Sequence, residues 1–155
     1  MIPIQELVER FGQEHVLEGD YGRHGFHVCL SLDPAGCHDL AGVLKAKGYY
    51  LEYITAVDRI DHLDLVYVFG SYAKPHRIQA VIKIAKGKEV PSLTDVYGAA
   101  NWQEREVFDM FGQVFSGHPN LKNLLLPDKA GFHPLLKDFK AGPQHSGDVA
   151  DLEVA

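Results

Sequence analysis

"YYLEYITAVDRIDHLDLVYVFGSYAKPHRIQAVIKIAK", residues 49–86, holds three apolar runs separated by two short polar breaks. The middle run puts Leu63, Leu65, Tyr67 and Phe69 at every second position, and the last does the same with Ile78, Ala80, Ile82 and Ile84. A period of two marks a strand with one buried face. The first run, 49–58, is rich in aromatic and β-branched residues, which suit strands. The breaks at 60–62 and 74–76 are too short for parallel crossovers, so the three strands should follow one another as antiparallel hairpins.

Toward the N-terminus, Ile4, Leu7, Val8 and Phe11 recur at helical spacing, and Gly12 is a natural stop. "GFHVCLSLD" (25–33) alternates like a strand. Asp33 can cap the helix that follows over "PAGCHDLAGVLKAKG", with Pro34 in its first turn and Gly48 past its end. Helix, strand, helix and a three-strand meander predict an α+β fold, with an antiparallel (mixed) sheet carrying helices on one face.

Toward the C-terminus, Ser92 can cap a helix beginning "LTDVYG", with Asp95 placed as in a capping box and Gly98 weakening it. Asn101 can cap its continuation, "NWQEREVFDMFG" (101–112), with Glu104 reaching back to the Asn101 amide. On a helix, Gln103, Val107, Phe108, Met110 and Phe111 form a broad apolar arc, and Arg105, Glu106 and Asp109 lie opposite. Gly112 ends the helix. Trp102 falls among the charges. It either packs under a neighbouring loop while the charges are solvated, or meets a partner, since Trp and Arg concentrate at interfaces.

After residue 112 the chain has four prolines and four glycines, little periodicity, and ten large apolar residues from Val114 to Phe139. A disordered linker would be poorer in such groups. Apolar anchors spaced by Pro and Gly suit an extended arm lying on another surface. The expected division is an α+β domain at 1–115, a partner-binding arm at 116–141, and a disordered acidic tail at 142–155.

The 155 residues carry a formal charge of −6 and no basic patch, which argues against nucleic-acid binding. No apolar run approaches the roughly 20 residues of a bilayer span, so no direct membrane insertion is expected. "MIPIQELVERFG" does not resemble a signal peptide, and a cytoplasmic setting disfavours a disulfide between Cys29 and Cys37. Nine histidines are scattered without CxxC or HExxH spacing. There is no phosphate loop, GxSxG or Ser/His/Asp set, so no catalytic residue, metal ligand or cofactor site is expected in this chain.

One longer pattern is specific. Glu104, Arg105 and Glu106, then Asp109, Met110 and Phe111, then His118, Lys122, Leu124 and Leu125 stand at the spacing of a known signature. With "VPSLTDVYGAANW" before and "FSGHPNLKNLLLP" after, this resembles the small C subunit in the hydrophilic arm of respiratory complex I, the proton-pumping NADH:quinone oxidoreductase. The likeness is dense over 90–140. "FHPLLKD" (132–138) departs from it: Phe132 stands at the family's glycine and Leu136 at its arginine, so a cation is missing there.

The resemblance implies a noncatalytic scaffold, peripheral on the cytoplasmic side of the plasma (inner) membrane. NADH, FMN, iron–sulfur clusters and quinone would belong to the parent complex and not to this chain. It would dock on the quinone-site subunit and neighbouring iron–sulfur subunits, supporting electron transfer to quinone coupled to proton translocation. The expected interface is Trp102, Arg105, Glu106 and Asp109 on the helix. From the arm it takes His118, Pro119, Leu121, Leu124, Leu125, Phe132, His133, Pro134, Leu135, Lys137, Asp138 and Phe139. The same motif fits the equivalent subunit of a membrane-bound energy-converting hydrogenase. A small stand-alone enzyme or metal-binding protein is the alternative from another class.

Overall fold

The alternating strands of the meander bury one face, and that face organises the rest of the computed structural model, which describes residues 2–128 and 130–140. The acidic tail expected at 142–155 lies outside the described residues. Helix α1 (Ile4–Phe11) stops at Gly12, and β1 (Val16–Glu18), a short α2 (Tyr21–His24) and β2 (Val28–Leu32) follow. Then come α3 (Pro34–Ala46) and the meander β3 (Tyr49–Asp58), β4 (His62–Ser71) and β5 (His76–Ala85). The chain closes with β6 (Val90–Pro91), α4 (Ala100–Phe111) and β7 (Phe115–Ser116).

The sheet runs β1-β2-β5-β4-β3. Only β2 and β5 are parallel; the other neighbours are antiparallel, so the sheet is mixed. The β2–α3–β3 crossover therefore passes over two strands that form later in the chain. Asp33 caps α3 by accepting the Gly36 amide at 2.7 Å. Leu40 and Leu44 of α3 share one hydrophobic core with Leu65, Tyr67 and Phe69 of β4 and Ile78, Ala80 and Ile82 of β5, all fully buried.

In β3 the buried positions are Tyr49 and Leu51, then Ile54, Ala56 and Asp58. The phase changes because the register with β4 slips between Leu51 and Tyr53, a bulge that gives β3 one extra residue. Without it Ile54 and Ala56 would point away from the core. The residue within the slip, Glu52, turns outward into a bidentate pair with Arg77 of β5.

Three local expectations are corrected. Residues 93–97 form a single turn, with the Tyr97 amide on Leu93 O at 2.7 Å, and no helix. Asp95 does not close a capping box; it pairs with His38 of α3 at 2.9 Å. Helix α4 starts at Ala100, so Asn101 lies inside it and is not its cap. Strand β7 straddles the boundary expected at 115/116 and pairs with β6.

Candidate functional site

Helix α4 buries two opposite faces. Its apolar side meets the core through Ala100 and Val107. Glu104 is fully buried on that side, which the capping-box expectation explained wrongly. Its Oε2 accepts the Ser92 hydroxyl at 2.6 Å and its Oε1 the Leu93 amide at 2.7 Å, so it caps the 93–97 turn instead of its own helix. Burial raises its pKa despite those two hydrogen bonds.

The charged side is covered by the chain's own following segment. Asp109 is 1% exposed. Its Oδ2 accepts the consecutive amides of Leu124, Leu125 and Leu126 at 3.0, 2.7 and 2.9 Å. Four residues earlier, one turn along the same face, Arg105 donates from Nε to Lys122 O at 3.1 Å and from its terminal nitrogen to Asn123 O at 2.8 Å. An anion thus gathers backbone donors and a cation gathers backbone acceptors, turning a loop without strand or helix partners into a fixed element. Arg105 and Asp109, expected to meet a partner or, in the alternative, solvent, are both buried under residues 122–126 of the same chain, because they supply the hydrogen bonds this segment cannot make with itself. Glu106 stays exposed.

Histidines pin the two ends. His118 Nε2 donates to Asn101 O at 3.0 Å and its Nδ1 accepts the Asn120 amide, so the neutral Nε2–H tautomer fits. His133 Nδ1 donates to Asp109 O at 2.9 Å, and Phe108 meets its ring edge-on. That ring packs over Gly112, where a Cβ would come within 2.7 Å of it and φ is +74°. Glycine is needed there twice, for the left-handed stop and for the histidine.

Beyond His133 the Leu135 amide donates to Met110 O at 3.1 Å. The Lys137 amide then donates to Asp58 Oδ2 at 2.8 Å. Asp58 also accepts the Ile60 amide at 2.7 Å and pairs with Lys86 at 3.0 Å. Burial alone would raise its pKa, but the Lys137 and Ile60 amides and Lys86 hold it down to about 2. The sequence reading missed Asp58; an Asp at the start of "DRID" is the turn-forming signal that could have found it.

The remaining arm residues divide by exposure. Leu121 packs against the core. Leu124 and Pro134 are half-buried, as are Phe132 and Phe139, whose rings stack at 5.6 Å. Pro119, Lys137 and Asp138 are exposed. Three large apolar groups face outward: Trp102 is 63% exposed, Leu125 66% and Leu135 54%. Trp102 is not tucked under a loop; the Arg105 guanidinium sits 5.2 Å above its ring. The surface is a rigid helix–arm ledge with an apolar outer side.

Nothing in this geometry arranges a nucleophile and base. Among the described residues no group of three His, Cys, Asp or Glu could hold a metal ion, and no helix is long and apolar enough to cross a membrane. Cys29 and Cys37 are both free thiols.

The family model and the sequence relatives agree on one family. The family model described as respiratory-chain NADH dehydrogenase, 30 Kd subunit, matches residues 30–145. The C subunit of the NADH-quinone oxidoreductase of Rhodobacter capsulatus is 48% identical over 119 residues, covering 72% of this chain and 60% of that protein. Its counterpart in Ruegeria sp. (strain TM1040) is 47% identical over 139 residues, covering 85% of this chain and 68% of that protein. A chain from the membrane-bound sulfane sulfur reductase, an archaeal respiratory membrane complex, has the same fold at a TM-score of 0.77. It is 21% identical, and the match covers 98% of this chain and 92% of that one.

Proposed function

This chain belongs to the 30 kDa subunit family of respiratory NADH dehydrogenases, and on that premise we propose that it is a noncatalytic scaffold in the peripheral arm of a complex I-type NADH:quinone oxidoreductase. Its α1–β7 body is the folded unit, and residues 118–139 are the arm that docks on the quinone-site subunit and the iron–sulfur subunits beside it. NADH, FMN, the clusters and quinone belong to those partners. The chain would sit on the cytoplasmic face of the membrane and be held there through the complex. In this role it supports electron transfer to quinone and the coupled proton translocation by holding its neighbours in register.

The observation that carries this reading is the clamped arm. Asp109, Arg105 and His133 fix its backbone to α4 from beneath, while Trp102, Leu125 and Leu135 remain outward. A loop serving only its own core would turn Leu125 and Leu135 inward, where full burial contributes roughly 1.5–3 kcal/mol each. Presenting them on a rigid ledge lowers the ordering cost of association.

A second reading is the equivalent subunit of a membrane-bound complex that does not oxidise NADH, such as an energy-converting hydrogenase. It is favoured by the fold shared with the archaeal sulfane sulfur reductase chain. Purification of the native assembly through a tag on this chain separates the two. Recovery of NADH-oxidising, flavin-bearing subunits supports the first reading, and recovery of a nickel-site or sulfur-reducing subunit in their place supports the second. Recovery of the chain alone from gently solubilised membranes would refute both.

A further inference from the structure

Strand β1 forms one edge of the sheet, and β3, on which α4 packs, forms the other. Among the described residues β1 pairs with β2 on one side and with no strand on its other side. The Gly19 amide donates to His27 O at 2.8 Å, so Gly19 and, two residues back, Leu17 turn their backbone groups toward β2. Val16 and Glu18 turn theirs to the open edge. Gln13 O takes the Val16 amide, which leaves the Val16 carbonyl and the amide and carbonyl of Glu18 facing outward. Such a row is what an added strand pairs with.

Beside that edge lies a cleft of about 360 Å³ between α1 and β1. Ile4, Val8 and Val16 give it apolar walls, and Glu9 and Glu18 give it two carboxylates. A neighbouring cleft shares Ile4, Gln5 and Glu18 with it and runs on to His27 and His76. No Lys or Arg lines either one. Nearby charges are already matched, Glu6 with Lys47 and Arg10 with Asp39, whereas Glu9 and Glu18 enter no ion pair among the described residues. We infer that β1 accepts an extended segment of a partner protein as a sixth strand, with an aliphatic side chain set against Ile4 and Val8 and Lys or Arg set against Glu9 and Glu18. Charge selects this occupant. A second copy of the chain would bring its own Glu9 and Glu18 against these, and residues 142–155 carry Asp148, Asp151 and Glu153 with no Lys or Arg. The arm is fastened to α4 and to Asp58 of β3, at the other edge, so this site does not depend on the docking proposed for the arm.

The test compares hydrogen exchange of the native assembly, purified through a tag on this chain, with that of the isolated full chain. The Glu18 amide should exchange quickly in the isolated chain and about tenfold slower in the assembly, the scale of one added hydrogen bond. The Gly19 amide, already bonded to His27 O, is the internal reference and should change little. Reversing both charges, Glu9→Lys with Glu18→Lys, should abolish the slowing at residue 18, and Glu9→Gln with Glu18→Gln should keep part of it. Both positions are exposed, so the fold is retained. A Glu18 amide that exchanges equally in both samples while 118–139 is protected would overturn the added strand and leave the arm reading standing. Slowing at Glu18 without protection across 118–139 would overturn the arm reading and support this one. Slowing that survives charge reversal would overturn the basic partner, and a chain recovered with no companion would overturn both readings.

Discussion

Replacing Asp109 by Asn is the sharpest perturbation of the helix–arm ledge. The exchange is nearly isosteric and removes only the charge. In the parent chain one oxygen accepts three consecutive amides, all within 3.0 Å. Hydrogen bonds to an ionised acceptor are worth about 1.5–3 kcal/mol, against about 0.5–1.5 kcal/mol for neutral ones. The asparagine NH2 group would also take the place of Oδ1, which is buried with no donor near it among the described residues. Three bonds sharing one oxygen are not additive, so the net loss should be about 3 kcal/mol. This is a local cost, because the arm can lift from α4 without opening the sheet. Native-state hydrogen exchange reads it directly. The amides of Leu124, Leu125 and Leu126 should exchange about 100-fold faster in the variant, while those of Leu65 and Tyr67 keep their rates. Unchanged rates at 124–126 would refute the idea that Asp109 holds the arm, and uniform acceleration across β4 would show that it holds the whole core.

Other outcomes follow from the same geometry. Arg105→Lys keeps the charge but cannot span Lys122 O and Asn123 O with a planar fork, so limited proteolysis within 118–127 should quicken several-fold with little change in the melting temperature. Gly112→Ala faces both the φ of +74° and the His133 ring, and should cost about 2 kcal/mol or more, measured by urea unfolding. Asp58 has its folded pKa lowered from the ordinary 3.8 to about 2, so its stabilisation is complete above the unfolded value. That contribution, up to about 2 kcal/mol, should be lost as pH falls from roughly 4 to 2, and Asp58→Asn should remove this part of the acid dependence of thermal unfolding.

The sheet and helices were readable because each rests on a local rule. Alternation in 63–69 and 78–84 fixed two strands, Asp33 and Pro34 fixed the start of α3, and Gly12 and Gly112 fixed two helix ends. Pairings made at a distance were not readable. Nothing in 28–32 announces that it lies parallel to β5, since the crossover skips two strands that come later in the chain. Glu104 satisfied the spacing of a capping box with Asn101, yet Ser92 and Leu93, brought near by the tertiary fold, took its oxygens. Helical phase placed Arg105 and Asp109 opposite the core, which is true of the sheet core. Their burial comes from the arm, whose course has no periodicity to read. Trp102 was the misfit of the helical pattern, and it stays exposed, beside the Arg105 guanidinium.

The central claim is that an arm fastened to α4 from below is covered by a partner from above. Hydrogen exchange of the full chain, alone and with saturating quinone-site subunit, tests it. The account predicts new protection across 118–139, concentrated near Leu125 and Leu135, and little change in the amides of β2 and β5. Exchange across 118–139 that is the same with and without the partner would contradict it.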